Sequence, residues 1–286
     1  MKITFLGTSA GEEYPGIWCD CENCAKARAL GGRNIRRNSC LAIDDDVMID
    51  IGKTAHIQAE RFGFNMRKIR TLLVTHSHLD HFDLHTLWAR RLTPGCDSLS
   101  DAEKKSASSP RFTAAPRLAM LGNAQVFEKL SGYVDLDACG IDFTLAKPFQ
   151  EYHFNDLSVY TLEGNHKDDD GRSLNFMISH GGLKFLYLAD TGWPLDQTFD
   201  ALRRHKYDFI ITEGTFGFGV DSEYHMRLEK NIRLLRYFNE NMLWKNKPAY
   251  YLTHIAPHWT PPHDEYAAIV EEAGMILAYD GLTVEF

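Results

Sequence analysis

The stretch Thr75-His76-Ser77-His78-Leu79-Asp80-His81 follows an apolar run and carries the pattern H-x-H-x-D-H. The run, Ile69–Thr75, is typical of a strand. In extended backbone, residues two positions apart project to the same side, so His76 and His78 can bind one cation. Asp80 and His81 then turn toward a second position as a helix begins. One histidine alone could be a surface residue, but three imidazoles and a carboxylate within six residues need a common partner. The stretch therefore predicts a metal site at the end of a strand.

Three further polar residues follow predicted strands. His166 comes after Leu157–Leu162, Asp190 after Lys184–Ala189, and His254 after Ala249–Thr253. Taken singly, Asp190 could cap a turn and His254 could lie at the surface. Because the same arrangement recurs at three strand ends, it favours metal ligands in all three places.

The chain reads as β-rich in its first part and as strands alternating with helices later. This pattern predicts an α/β fold, an αββα sandwich of two mixed β-sheets packed face to face with helices outside, in one domain over 1–286. The polar, Ser-rich segment 93–112 is either a lid over the site or a solvated surface insertion. The other predicted strands are Ile3–Leu6, Leu41–Ile43, Val47–Ile51, Asn175–Ser179, Phe209–Thr212 and Thr283–Phe286. Helical patterns lie at Ala55–Phe62, Asp83–Leu92, Leu195–His205, Tyr224–Asn239 and Asp264–Glu272.

The composition limits the partners and the compartment. The net charge of −8 over 286 residues argues against binding of extended nucleic acid, which needs clustered Lys and Arg. No apolar run approaches the roughly 20 residues of a membrane helix. The start of the chain, Met1–Thr8, is too short and too β-like for a signal peptide. We therefore expect a cytoplasmic protein that acts on a small molecule. The sequence does not decide between a monomer and a homodimer.

Three of the six cysteines, Cys19, Cys21 and Cys24, form the pattern C-x-C-x2-C. Three thiols this close in a reducing compartment suit a closed, tetrahedral zinc site of the Cys3His type. As free surface thiols they would be prone to oxidation. The cluster therefore predicts a structural zinc ion, separate from the histidine cluster.

The order H-x-H-x-D-H, then His, then Asp, then His resembles the dinuclear hydrolases of the metallo-β-lactamase superfamily. The matching positions span residues 3 to 258. Asp50, in Met48-Ile49-Asp50-Ile51-Gly52, is similar to the family's early aspartate, which does not bind the metal itself but supports the histidines that do. The resemblance implies two metal ions with these ligands: His76, His78 and His166 for the first, Asp80, His81 and His254 for the second, and Asp190 as the bridge.

Within that superfamily the cysteine cluster and the basic stretch 26–37 are similar to the subfamily of PhnP-type cyclic-phosphate phosphodiesterases and PqqB-like proteins. In the phosphodiesterases, three cysteines and a histidine just after the last metal histidine bind structural zinc, which implies His258 as the fourth ligand here. His258 lies four residues after His254, one more than in the family, and Cys40 is the competing candidate. The same similarity extends to Asn165-His166, Ala189-Asp190-Thr191 and Leu252-Thr253-His254-Ile255.

The subfamily resemblance also implies a general acid. His225 follows the Gly-rich run Gly214–Gly219 at the predicted start of a helix, and its position is similar to that of the subfamily's non-ligand acid histidine. The alternative is a surface histidine at the start of a helix. The predicted catalytic residues are therefore His225 and Asp80, of which Asp80 is also a metal ligand.

These features predict a metal-dependent hydrolase, with a phosphodiesterase that uses a metal-bridging hydroxide on a small, cyclic or open phosphodiester as the leading interpretation. The mixed nitrogen and oxygen ligands suit two divalent Zn, Mn or Fe ions, beside one structural Zn. The alternatives are a lactone or ester hydrolase, an RNase Z-like nuclease and a non-catalytic, PqqB-like binding or carrier protein. The acidic balance argues against the nuclease, and the complete ligand set argues against the carrier.

Overall fold

The computed structural model describes residues 1–91, 102 and 115–286, and these residues contain two seven-stranded sheets. The first sheet consists of β1 (Lys2–Gly7), β2 (Cys40–Ile43), β3 (Val47–Ile49), β4 (Thr71–Leu73), β5 (Leu118–Gly122), β6 (Ile141–Leu145) and β14 (Thr283–Glu285). The second consists of β7 (Glu151–Phe154), β8 (Leu157–Asp168), β9 (Gly171–His180), β10 (Leu183–Leu188), β11 (Phe209–Glu213), β12 (Tyr250–Thr253) and β13 (Ile276–Leu277). The helices are α1 (Glu22–Leu30), α2 (Ala55–Arg61), α3 (Leu84–Trp88), α4 (Ala124–Tyr133), α5 (Asp196–Leu202), α6 (Leu228–Glu240) and α7 (His263–Glu272).

Both sheets are mixed. The first has the order β14-β1-β2-β3-β4-β5-β6, antiparallel as far as β3 and parallel from β3 onward. The second has the order β13-β12-β11-β10-β9-β8-β7, parallel as far as β10 and antiparallel beyond it. The predicted pair of mixed sheets is therefore confirmed.

Side-chain alternation along the strands builds the layers. Leu41 and Ile43 of β2 enter a cluster that also contains Phe176 and Phe185 of the second sheet, whereas Ala42 faces the helical side. Successive strand residues point to opposite faces, so each sheet contributes one face to the inter-sheet core and one to the helices. Helices α2, α3 and α4 cover the first sheet, and α5, α6 and α7 cover the second.

Some predicted boundaries were wrong. The helix predicted over Tyr224–Asn239 begins only at Leu228, because the preceding segment is held by the Glu213 side chain, which accepts a hydrogen bond from the Met226 backbone N–H at 2.9 Å. The predicted strand before His166 does not end at Leu162, because β8 continues to Asp168 with an irregular register between Glu163 and Lys167. His225 therefore lies in a loop and His166 lies within a strand.

Several elements were not predicted at all. They are helices α1 and α4 and strands β5, β6, β7 and β13. The predicted lid or surface insertion at 93–112 lies, apart from residue 102, outside the described residues. Among the described helices, none has the length and apolar character needed to cross a bilayer.

Candidate metal centre

Strands of both sheets bring the predicted ligands to one edge of the sandwich. The His76–His81 segment follows β4, Asp190 follows β10, and His254 follows β12. Because the carboxyl ends of parallel strands meet at the same edge of a sheet, side chains far apart in the sequence become neighbours. Their convergence makes this edge the candidate site.

The first group of side chains is formed by His76, His78, His166 and Asp190, whose ligand atoms all lie within 4.8 Å of one another. The Nε2 atom of His76 is 3.0 Å from Nδ1 of His78, and that Nδ1 is 3.3 Å from Nε2 of His166. Three ring nitrogens thus face a common point.

The second group is formed by Asp80, His81, His254 and again Asp190. Nε2 of His81 and Nε2 of His254 are 3.1 Å apart, and Oδ2 of Asp80 lies 3.3 Å from His81 and 3.5 Å from His254. Oδ2 of Asp190 lies 3.2 Å from Nε2 of His76 in the first group and 3.4 Å from Nε2 of His81 in the second. Asp190 therefore stands between the two groups.

These residues fit a pair of divalent cations. Two nitrogens bound to one tetrahedral zinc at 2.0–2.1 Å are about 3.3 Å apart, close to the separations of 3.0–3.3 Å in the first group. The side chain of Asp190 is only 3% exposed, and its Oδ2 faces ring nitrogens of both groups. A buried carboxylate among neutral imidazoles is a suitable anionic ligand for cations in both groups.

Hydrogen bonds behind the histidines fix which ring nitrogen faces the cluster. Nδ1 of His81 is 2.7 Å from Oδ2 of Asp50, and Nδ1 of His254 is 2.8 Å from Oγ1 of Thr215. Nδ1 of His166 is 3.3 Å from the carbonyl oxygen of Tyr224. A partner on the outer nitrogen leaves the inner Nε2 lone pair for a metal. Asp50 contacts His81 as the family resemblance implies, whereas Thr215 was not predicted.

Burial and charge prepare the ligands for binding. Burial lowers the pKa of His166 to about 3, which keeps its ring neutral. Burial alone would raise the pKa of Asp190, but the neighbouring His254 and hydrogen bonds with His225 and His76 hold it well below its usual range. A neutral imidazole and an ionised carboxylate are the forms that bind metal.

His225 lies at the edge of the cluster, beside Asp190 and a buried carboxylate that sequence reasoning missed. Its Nδ1 atom is 2.9 Å from Oδ1 of Asp190 and 3.2 Å from Oε1 of Glu213, which is fully buried. Burial opposes the charged ring, but these two carboxylates raise the pKa of His225 to about 11. The signal for Glu213 was its place at the end of β11, the same edge that carries Asp190 and His254.

A buried aspartate that was also missed holds the loop between the first two histidines. Oδ1 of Asp168 accepts hydrogen bonds from Oγ and N of Ser77, at 2.5 and 3.2 Å, and Oδ2 accepts one from Asn123 Nδ2 at 2.6 Å. Since Ser77 separates His76 from His78, Asp168 fixes their relative placement. The only sequence signal was its position two residues after His166.

The cysteine cluster forms a separate group. Cys19, Cys21 and Cys24 have sulfur atoms within 4.8 Å of one another, and Nδ1 of His258 is 3.7 Å from Sγ of Cys19. Cys40 is instead buried against the carbonyl oxygen of Asp50, with its sulfur 3.3 Å from that atom. Of the two candidates for a fourth ligand, His258 is the one beside the thiols.

Comparison with known proteins gives a family and a fold. The family model described as a beta-lactamase superfamily domain matches residues 46–255. A comparison with curated protein sequences gives no match.

Several solved structures are similar to the whole chain. A diphosphatase of the PhnP family superposes with a TM-score of 0.71 at 21% identity, over 100% of this chain and 96% of its own. Zinc-bound PqqB from Methylobacterium extorquens gives 0.73 at 16% identity, over 100% of both chains. The short form of human tRNase Z gives 0.61 at 15% identity, over 100% and 99%. At these identities the likeness concerns the fold.

Proposed function

We propose, from the premise that this chain belongs to the beta-lactamase superfamily, that it is a metal-dependent phosphodiesterase acting on small, cyclic or open phosphodiesters. The observation that carries the proposal is the convergence of two His/Asp groups on the shared carboxylate of Asp190, with His225 beside it. In this proposal His76, His78 and His166 would hold one ion, Asp80, His81 and His254 would hold the other, and Asp190 would be a ligand shared by both.

When bound, such a pair of ions supplies a hydroxide nucleophile at neutral pH and neutralises charge on the phosphate oxygens. The remaining steps belong to side chains of the chain itself. Asp80 and Asp190 offset part of the cationic charge. Asp50 and Thr215 keep His81 and His254 oriented with Nε2 inward.

His225 is proposed to donate the proton that the leaving oxygen needs. Its Nδ1 faces Asp190 and Glu213, so Nε2 is the nitrogen that can give a proton to the substrate. Glu213 is itself fixed by the backbone N–H groups of Thr215, at 2.7 Å, and Met226, at 2.9 Å. A histidine held this way can protonate an alkoxide without moving.

The structural zinc is part of the same proposal, with Cys19, Cys21, Cys24 and His258 as its ligands. Asn23 Nδ2 donates to the carbonyl oxygen of Pro257 at 3.0 Å, so the cysteine loop already contacts the segment that follows His254. The site would attach this loop close to a catalytic ligand.

The test is a substrate panel with metal-saturated protein: bis(p-nitrophenyl) phosphate, a cyclic nucleotide, a lactone and a precursor tRNA. We expect hydrolysis of the phosphodiesters, and a loss of at least about 100-fold in His78→Ala, because that change removes a ligand. His153→Ala is the matched control, since the side chain of His153 is 68% exposed. Turnover of the lactone without turnover of any phosphodiester would contradict the proposal and favour an ester hydrolase.

A further inference from the structure

The Gly-rich run Gly214–Gly219 carries an aromatic residue, Phe216, that the proposed catalytic scheme does not use. Its ring meets the His225 imidazole edge to face, with 5.2 Å between the ring centres and 72° between the ring planes. The Trp259 indole is the next ring, with its centre 6.1 Å from that of Phe216 and an interplanar angle of 87°. The rings of His225, Phe216 and Trp259 therefore form a connected series, the aromatic series, that begins at the proposed general acid.

Backbone hydrogen bonds hold the aromatic series in place. The Phe216 N–H donates to the carbonyl oxygen of Met226, the residue after His225, at 3.1 Å. The Phe218 N–H donates to the carbonyl oxygen of Trp259 at 3.0 Å. The Gly-rich run is thus tied on one side to the segment of the general acid and on the other to the segment of Trp259. Rings fixed in this way before a ligand binds lower the entropy cost of binding it.

Two glycines of the run make room for Trp259. A Cβ atom on Gly219 would come within 2.6 Å of the Trp259 ring, and one on Gly217 would lie 2.6 Å from the backbone oxygen of Trp259. Gly217 also has a φ angle of +39°, in the region that favours glycine. A side chain at either position would displace Trp259, so these glycines serve the placement of its ring.

The aromatic series keeps apolar surface open beside the catalytic edge. Trp259 is 39% exposed although the run packs against it, and Phe216 is half-buried. Apolar and aromatic surface next to catalytic groups is typical of a ligand site. Phe218 is more exposed, at 55%, but its ring packs against Tyr266 of α7, with 5.4 Å between the ring centres. It therefore lies in the same run with a different ring neighbour, which makes it a matched control.

From these contacts we infer that Phe216 and Trp259 form a subsite for the leaving alcohol of the substrate, and that this subsite selects an alcohol with an aromatic ring. The leaving oxygen must come within roughly 2.6–3.2 Å of Nε2 of His225 to receive its proton. A group carried on that oxygen is then within reach of the Phe216 ring, whose centre is 5.2 Å from that of the imidazole. Aromatic rings attract one another in edge-to-face and offset-stacked arrangements. The inference rests on the proposed function and narrows it: the substrate is a phosphodiester whose leaving group bears an aromatic ring.

Methyl 2-phenylethyl phosphate tests this inference by internal competition, because either alcohol can leave and the two alkoxides are of similar basicity. Metal-saturated wild type should release at least about tenfold more 2-phenylethanol than methanol, since the ring enters the subsite only when 2-phenylethanol leaves. Phe216→Leu and Trp259→Leu should each lower this ratio at least about threefold. Phe218→Leu should keep the wild-type ratio. Loss of folded protein or of acid catalysis slows the release of both alcohols alike, so the product ratio reports the subsite alone.

Calorimetry separates failure of the subsite from failure of the proposed function. Wild-type protein should bind 2-phenylethyl phosphate at least about tenfold more tightly than ethyl phosphate, and Phe216→Leu/Trp259→Leu should lose most of that preference. Release of both alcohols in equal amounts, an excess of methanol, or the same ratio in Phe216→Leu, Trp259→Leu and Phe218→Leu overturns the subsite. A binding preference that the double variant loses, without hydrolysis of any diester, supports the subsite and contradicts the phosphodiesterase proposal. Equal binding of the two monoesters without hydrolysis overturns both.

Discussion

His225 shows how a residue acquires its chemistry from its neighbours. In the sequence it is one of thirteen histidines, and in the structure it is the one held between Asp190 and the buried Glu213. Replacing it with Ala should slow hydrolysis of an alkyl phosphodiester by about 10²–10⁴-fold. Bis(p-nitrophenyl) phosphate should be largely spared, since nitrophenolate leaves without a proton. Steady-state kinetics of the wild type and of His225→Ala on the two substrates would measure this difference.

Metal content is the control for His225→Ala, because this residue is not proposed as a ligand. Equal losses on both substrates would point to a positioning role. Loss of a metal ion would make His225 a ligand, an outcome to watch for since Glu213, His225 and His254 themselves lie within 4.8 Å of one another.

Three site residues also adopt left-handed backbone conformations. The φ angles are +62° at Asp50, +49° at Asp190 and +55° at His254. Each costs on the order of 1 kcal/mol or more for a residue other than glycine and persists only where the surroundings enforce it. Three of the nine non-glycine residues with positive φ in the described part of the chain thus lie at the ends of β3, β10 and β12, where the proposed ligands and their support are found.

At the scale of elements, the proposed structural zinc would attach the cysteine loop and helix α1 to the segment that follows His254. Changing Cys21 to Ser should lower Tm by about 5–10 °C and remove one of about three metal ions per chain, since structural zinc contributes folding free energy. Asp190→Ala should instead lower occupancy of the catalytic pair and leave the cysteine-bound zinc. Calorimetry and elemental analysis measure both effects.

Cys139→Ser is the control for this prediction, because Cys139 is a buried thiol that belongs to no such cluster in the described residues. Its metal content should be unchanged. A Cys21→Ser protein that melts normally with full zinc content would show that the cysteine cluster is not a zinc site.

At the scale of the whole molecule, a buried network joins the start of the chain to its end. The buried Arg36 donates to Oγ1 of Thr8 at 2.8 Å and to the carbonyl oxygen of Ala278 at 2.6 Å, and its Nη2 is 2.9 Å from Nδ1 of His263. Oγ1 of Thr8 donates in turn to Asp280 at 2.7 Å. The backbone of Thr8 accepts a hydrogen bond from Ile255, the residue after His254, so this network also supports the metal centre.

This network makes stability depend on pH. Burial, with the Arg36 charge, lowers the pKa of His263 from 6.5 to about 4. As pH falls below 6.5, His263 becomes protonated in the unfolded chain but stays neutral in the folded chain. Its contribution to the free energy of unfolding is therefore lost progressively between pH 6.5 and pH 4. Asp280 acts in the opposite direction, because burial raises its pKa to about 7 and its protonation below that pH favours the folded chain. The effect of His263 is therefore read by comparison: between pH 6.5 and pH 4, Tm of the wild type should fall relative to Tm of His263→Gln, whose amide oxygen can still accept from Arg36. Thermal unfolding of both proteins would be measured at several pH values with metal in excess. Identical slopes of Tm against pH would exclude His263 as the cause.

The sequence determined the fold class and the family because both depend on local patterns. Alternation of apolar residues predicted most strands of the second sheet. The H-x-H-x-D-H stretch could be recognised because its residues follow β4 within one short segment. Short or weakly patterned elements were missed, such as α1 and the two-residue β13, because their formation depends on partners rather than on their own periodicity.

The tertiary structure decided what surrounds the candidate ligands. Glu213 and Thr215 stand beside the ligand positions only because β10, β11 and β12 are parallel neighbours, a pairing that no local pattern encodes. The choice between His258 and Cys40 as the fourth zinc ligand also depends on tertiary structure. Only folding brings His258 to the cysteine loop and buries Cys40 against the carbonyl oxygen of Asp50. Sequence spacing fixes which side chains share a strand or a turn, whereas contacts between distant segments arise from sheet order and packing. The ligand types could therefore be predicted from the sequence, but the supporting and donating groups around them could not.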